Sequence, residues 1–192
     1  MTVDSLVAHA ESTSSTFLYA LLSLLGLSSS SIYAHAVSHL GASLTITTLL
    51  RALPFHASKR RMVIPAEITA RHGVQQEDVF RHGGDAKGID EAVFEFATVA
   101  NDHLITAREM FKDEVEGKVP RQAMPVFLTA VSPRRYQWFS GFKLTWFLLQ
   151  APAQNFLTRL ESVNFDTFHP SLRKTHWKLP YLLWKASRSR TF

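Results

Sequence analysis

There is no cysteine in these 192 residues. Disulfides, thiolate metal sites and cysteine nucleophiles are thereby excluded. Positive charge is missing from the start, since no Lys or Arg precedes Arg51. Long hydrophobic runs are missing too. The apolar stretches at 17–27 (FLYALLSLLGL) and 138–149 (WFSGFKLTWFLL) fall short of the roughly 20 residues a spanning helix needs, and Lys143 interrupts the second. No transmembrane helix is expected. The opening MTVDSLVAHAESTSS holds Asp4 and Glu11, no Arg, and no apolar run after a basic start, so no targeting signal is read there. Phosphate loops, G-x-S-x-G elbows and dinucleotide fingerprints are absent; RHGGDAKG supplies glycines without the strand that would make them phosphate-binding.

What remains is a chain of globular balance, 46% hydrophobic and 19% charged, with a net charge of +5. Its length predicts one domain, 1–192. The charge is unevenly placed. Residues 134–192 hold ten Lys and Arg (Arg134, Arg135, Lys143, Arg159, Arg173, Lys174, Lys178, Lys185, Arg188 and Arg190) against two acids, Glu161 and Asp166. All four tryptophans, Trp138, Trp146, Trp177 and Trp184, fall in the same third. Interleaved rings and cations suit an anionic membrane surface. A nucleic-acid surface uses the same residue types, and so does a core rimmed by snorkelling Lys and Arg.

Periodicity of three and four dominates, and no alternating run competes with it, so the fold class is all-α. From Ile89, the positions Val93, Phe96, Ala100, Leu104, Ala107 and Phe111 form one stripe of a helix of about 25 residues. SSSSIYAHAVSHLGASLTITTLLRA predicts serine N-caps and a helix from Ile32 to Ala52, ended by Pro54. Residues 3–26 read as two helices or one bent helix, with STSS at the break. Pro65 opens a short helix that stops at Gly73, and QQEDVF begins another. Further helices are expected near 153–163 and in LPYLLWKASR.

Thr45, Thr48 and Ala52 share one helix face within roughly 60°, and Arg51, Lys59, Arg60 and Arg61 follow. A face feeding a basic turn is what a diphosphate site uses, provided carboxylates on the face hold Mg²⁺. Here the face offers two hydroxyls and a methyl. His35 and His39 stand four apart, a metal-ligand spacing, but without a glutamate between them or a third ligand in view; a packed or hydrogen-bonded helix contact is the plainer expectation. His56 has the range of a general base, although a lone histidine beside a turn is more often structural.

The frame LGASLTITTLLRALPFHASKRRMVIPAEITARHGV (40–74) resembles the squalene/phytoene synthase family, whose second metal-binding motif runs in the same register. On that alignment Thr45 and Thr48 stand at the family's glutamine and asparagine, Ala52 at its aspartate, and Phe55 and His56 at its glutamate-aspartate pair. Arg51, Arg61 and Pro65 are kept. The resemblance implies that the chain begins after the position of the family's first Asp-rich motif and its usual N-terminal portion. YAHAVSHLG, LLRALPFHASKRRMVIP, HGVQQEDVFR and VNFDTFHPSL are similar to a non-enzymatic branch of that family that assists mitochondrial complex I assembly. Residues 134–152 have no counterpart there and read as an insertion. The resemblance implies a helical bundle of isoprenoid-synthase type around a central cavity, with no catalytic residue, metal or cofactor. Thr45, Thr48, Arg51, His56, Lys59, Arg60 and Arg61 become a vestigial cavity wall or anion contact. It further implies complex I subunits or other assembly factors as partners, no nucleic acid, and peripheral contact with the cardiolipin-rich matrix face of the inner membrane. The alternatives are a prenyl-diphosphate transferase and an isoprenoid or lipid carrier without turnover.

Overall fold

The computed structural model describes residues 1–112, 118–128, 153–173 and 179–190. Every element among them is helical, as the periodicity predicts. Helix α1 (Val3–Ala10) runs through a widened π turn (Glu11–Ser15) into α2 (Thr16–Leu24), so residues 3–24 are one bent rod. The long α3 (Ser31–Ser58) is followed by two short helices, α4 (Ala66–Arg71) and α5 (Gln76–His82). Helix α6 spans Ile89–Glu109, then α7 (Met124–Phe127), α8 (Ala153–Glu161) and α9 (Leu179–Ser189) complete the described elements. The segment read as an insertion, 134–152, lies outside the described residues, as do Trp138, Trp146 and Trp177.

Two stacked clusters form the core, and α3 and α6 run through both. One joins Ile46, Leu50 and Leu53 of α3 to Ile89, Val93 and Phe96 of α6, closed by Phe156 and Leu160 of α8. The other joins Val37, Leu40 and Leu44 to Leu104, Ala107 and Phe111, with Phe127 standing edge-on to Phe111 at 5.0 Å. The early half of α3 meets the late half of α6, so the pair is antiparallel. All six stripe positions named from the sequence are buried, although α6 has 21 residues rather than about 25 and Phe111 lies just past its end. Truncating a fully buried ring such as Phe96 costs about 3–5 kcal/mol.

Two boundaries differ from the sequence reading. Pro54 does not end α3 but lies inside it, with Leu53 and Ala57 buried on either side. Losing one backbone bond costs about 3 kcal/mol, and burial of the following turn against the core offsets it. The helix ends instead at Ser58, with Lys59 at the C-cap and Arg60 beyond it in the left-handed conformation at φ 55°. Ser30 sits at the N-cap of α3 without a capping hydrogen bond; it is Thr2, at the start of α1, that forms a capping box with Ser5.

The bent rod crosses α3 at Gly41. A Cβ at that position would strike the Ser15 Oγ and stand 2.8 Å from the Ser15 backbone nitrogen and 2.9 Å from its Cα. Higher on α3, His39 packs against α6, its Nδ1 2.9 Å from the Nδ1 of His103, while His35 stays exposed. Burial depresses the pKa of both rings; His35 lowers that of His39 further and His39 lowers that of His103, with Glu11 and Asp102 opposing. One neutral ring donates to the other, and protonating both removes the acceptor.

Gly41→Ala should lower the melting temperature by about 3–10 °C, because overpacking of about 1–3 kcal/mol exceeds the gain in helix propensity. Adding Ser15→Ala should not restore it, since the clash is with backbone as well as the hydroxyl. For the histidine pair the folded-state pKa values lie below the unfolded value of about 6.5. Stability is therefore full above about pH 6.5 and declines as pH falls through the folded values. A melting-temperature profile should show that decline, and His39→Gln/His103→Gln should flatten it.

Candidate functional site

The π turn has a chemical origin in its own hydroxyls. Ser12 and Thr13 donate to the His9 carbonyl at 3.0 and 2.7 Å, and Thr16 donates five residues back to the Glu11 carbonyl at 2.9 Å. Side chains that take carbonyls from the backbone loosen the helical ladder, and a π turn follows. The wider turn rotates Ser14 and Ser15 inward, where both are buried. Ser15 donates to the Ser38 carbonyl at 3.3 Å. Ser14 Oγ lies 2.8 Å from Thr45 Oγ1, and Thr45 donates to the Gly41 carbonyl at 2.9 Å. With the threonine proton spent on Gly41, Ser14 is the donor of that pair.

Glu11, at the head of the π turn, adds a carboxylate to this seam. Its carboxylate accepts from Tyr19 Oη at 2.6 Å and from Ser38 Oγ at 2.7 Å. Burial alone would raise the Glu11 pKa, but these bonds outweigh it and hold the group below the ordinary range. Burial and the bond to Glu11 push the Tyr19 phenol up. The carboxylate is thereby a structural tie between the π turn, α2 and α3.

Below the crossing, α1, the π turn and the end of α3 line an open pocket of about 510 Å³. Its wall includes Leu6, His9, Thr13 and Ser14 from the rod, and Thr45, Thr48, Leu49 and His56 from α3, with Arg61, Met62 and Val63 beyond the helix end. The structure brings together four of the seven residues singled out from the sequence: Thr45, Thr48, His56 and Arg61. It does not bring in the other three. Arg51 lies half-buried elsewhere on α3, its pKa lowered by burial. Arg60 is paired with Glu77, its Nη2 2.7 and 2.6 Å from the two carboxylate oxygens, and Arg81 joins the same carboxylate at 2.8 Å. Lys59 is exposed outside the wall. Phe55 is 63% exposed and also off the wall.

The chemistry available in this pocket is limited and definable. Thr48 donates to the Leu44 carbonyl at 2.7 Å, so its proton, like that of Thr45, is committed to α3 itself. No Asp or Glu is among the described lining residues. Mg²⁺ selects carboxylate and phosphate oxygens in octahedral array, which hydroxyls spent on a helix do not supply. Leu6, Leu49, Met62 and Val63 offer an apolar body of wall, and Arg61, His9 and His56 offer polar contacts. The sequence reading missed His9, Thr13 and Ser14 because they come from a separate helix. The STSS break marked the turn that delivers them.

Comparison with known proteins agrees with this architecture. The Squalene/phytoene synthase family model matches residues 1–180. The human protein named "NADH dehydrogenase (ubiquinone) complex I, assembly factor 6" is 35% identical over 191 residues, covering 99% of this chain and 49% of that protein. A Drosophila melanogaster homolog of the same name is 33% identical over 189 residues, 98% of this chain and 49% of its own. The Dictyostelium discoideum homolog is 25% identical over 190 residues, 99% of this chain and 46% of its own. The chain thus spans about half the length of the curated relatives it matches. No solved structure matches it. By the extent of the family match and the helical fold that accompanies it, the chain belongs to the squalene/phytoene synthase family.

Proposed function

We propose that this chain is a non-catalytic member of its family that serves as an assembly factor for mitochondrial respiratory chain complex I, acting by contact with proteins and with a membrane surface. The observation that carries the reading is the match, almost end to end, to relatives named for complex I assembly. The pocket supports it from the chemical side. In the register of the family's second acidic motif stand Thr45, Thr48, Ala52, Phe55 and His56, none of them a carboxylate. Ionising an allylic diphosphate builds charge on the leaving group, and without a carboxylate-held metal little here offsets it. On this reading the chain has no catalytic residue and no cofactor. Residues 1–192 belong to one synthase-like domain in which 134–152 is an insertion. Its partners are complex I subunits or other assembly factors and its site is the matrix face of the inner membrane. The basic, tryptophan-rich last third favours contact with cardiolipin there over contact with nucleic acid.

A second reading rests on the pocket: about 510 Å³ with apolar walls is room for an isoprenoid or other lipid held without turnover. It is compatible with the first, since a bound lipid can be structural.

Deleting the gene in cells that respire through complex I, followed by native-gel separation, should show a specific shortage of complex I with normal sterols and carotenoids. A loss of sterols or carotenoids with intact complex I would reverse the assignment. Ala52→Asp should release no diphosphate from prenyl diphosphates with Mg²⁺, because Phe55 and His56 still leave the cage open; measurable release would contradict the non-catalytic reading. The full chain should sediment with cardiolipin-containing vesicles and leave them as salt shortens the screening length to about 3 Å at 1 M.

A further inference from the structure

Helix α9 is unlike the others in which side it shows to solvent. Tyr181 and Trp184 are 60% and 59% exposed, and Lys185 and Arg188 are exposed beside them. These four occupy positions i, i+3, i+4 and i+7 and so form one stripe along the helix. The two rings stack with centroids 6.1 Å apart and planes 28° apart. The Arg188 guanidinium carbon lies 5.8 Å from the Trp184 ring centre. On the other side, Leu182 and Ala186 are half-buried. The helix is tied to the body at its end, where the Val119 N–H donates to the Arg190 carbonyl at 2.9 Å.

An amphipathic helix of a globular protein turns its rings inward and its charges outward. Here the rings and the charges share the outward face. From Leu179 to Phe192 the chain carries Lys185, Arg188 and Arg190 and no acid at all, so the whole segment is complementary to a negative surface. The helix has 11 residues and is too short to span a bilayer, which requires about 20. Tyr and Trp settle at the headgroup level, and Lys and Arg extend along them to lipid phosphates.

We propose that the Tyr181–Trp184–Lys185–Arg188 stripe is the surface by which this chain docks on an anionic lipid bilayer, with α9 lying in the plane of the interface. This rests on the membrane contact in the proposed function and names the element that makes it. Nucleic acid is a poorer occupant. Base platforms need free ring faces, whereas Trp184 has Tyr181 and Arg188 against it.

The test uses the full chain and its partition onto phosphatidylcholine vesicles with and without cardiolipin, measured by co-sedimentation. All four side chains are exposed, so Lys185→Gln/Arg188→Gln and Tyr181→Ala/Trp184→Ala should melt like the parent. The charge variant should bind cardiolipin vesicles about 30-fold more weakly. The aromatic variant should lose about tenfold or more, and with it the binding that persists at high salt. Parental binding by both variants, at unchanged melting temperature, overturns the assignment to α9 while leaving the membrane reading intact. A parent chain that ignores vesicles of either composition removes both. Tight, salt-sensitive RNA binding through the same four residues, without vesicle partition, gives the stripe to nucleic acid and overturns the proposal.

Discussion

The approach of the π turn to Gly41 is the contact on which the rest of the described structure depends. Small residues at a helix crossing let two backbones come close enough for side-chain hydroxyls to bridge them. At this crossing Gly41 supplies the space, and Ser14, Ser15 and Ser38 supply the bridges. The crossing fixes the angle of the bent rod over α3. That angle sets α1 over the later half of α3 and α2 over its earlier half, which is why Leu6 belongs to one core cluster and Leu18 and Leu22 to the other. It also opens the pocket, which lies between the α1 side of that rod and the later part of α3.

Much of this was legible in the sequence because it follows from periodicity. The α6 stripe, the break at STSS, the helix starting after Pro65 and the stop at Gly73 all came from spacing and from the conformations Pro and Gly allow. Pro54 was misread because proline's local cost is visible in a sequence and the burial of Leu53 and Ala57 that overrides it is not. The His39–His103 contact joins residues 64 apart, so neither histidine announces the other. His35, at the spacing that drew attention, is exposed. The candidate site was half legible for the same reason. Thr45 and Thr48 were placed on one helix face together with Ala52, and His56 was singled out separately beside a turn, while His9, Thr13 and Ser14 arrive from another helix.

The pocket wall shows how little is needed to change what such a site can do. A hydroxyl four residues along a helix has a carbonyl of its own helix within reach, and Thr45 and Thr48 both take that option. A threonine bonded in this way fills space and satisfies itself, which leaves nothing directed at a cation in the pocket. A carboxylate at such a position has no proton to donate to a carbonyl and must look outward. At Thr45 and Thr48 the polar groups are thus turned onto α3 and away from the pocket, which keeps its apolar volume.

Charge placement completes the argument from the other end of the chain. Arg60 and Arg81 share Glu77, Arg71 and His72 share Glu95, and Lys112 pairs with Glu109. These cations are answered from within. After residue 133 the supply of acids falls to Glu161 and Asp166, and Asp166 already accepts the Phe168 N–H at 2.8 Å. Ten cations outnumber two carboxylates in that stretch, which leaves it strongly basic. On α9 that charge stands next to exposed rings, and a bilayer interface answers both at once: phosphates for the cations and a headgroup layer that accepts indole and phenol. A soluble anion would answer only the charge and leave the rings in water.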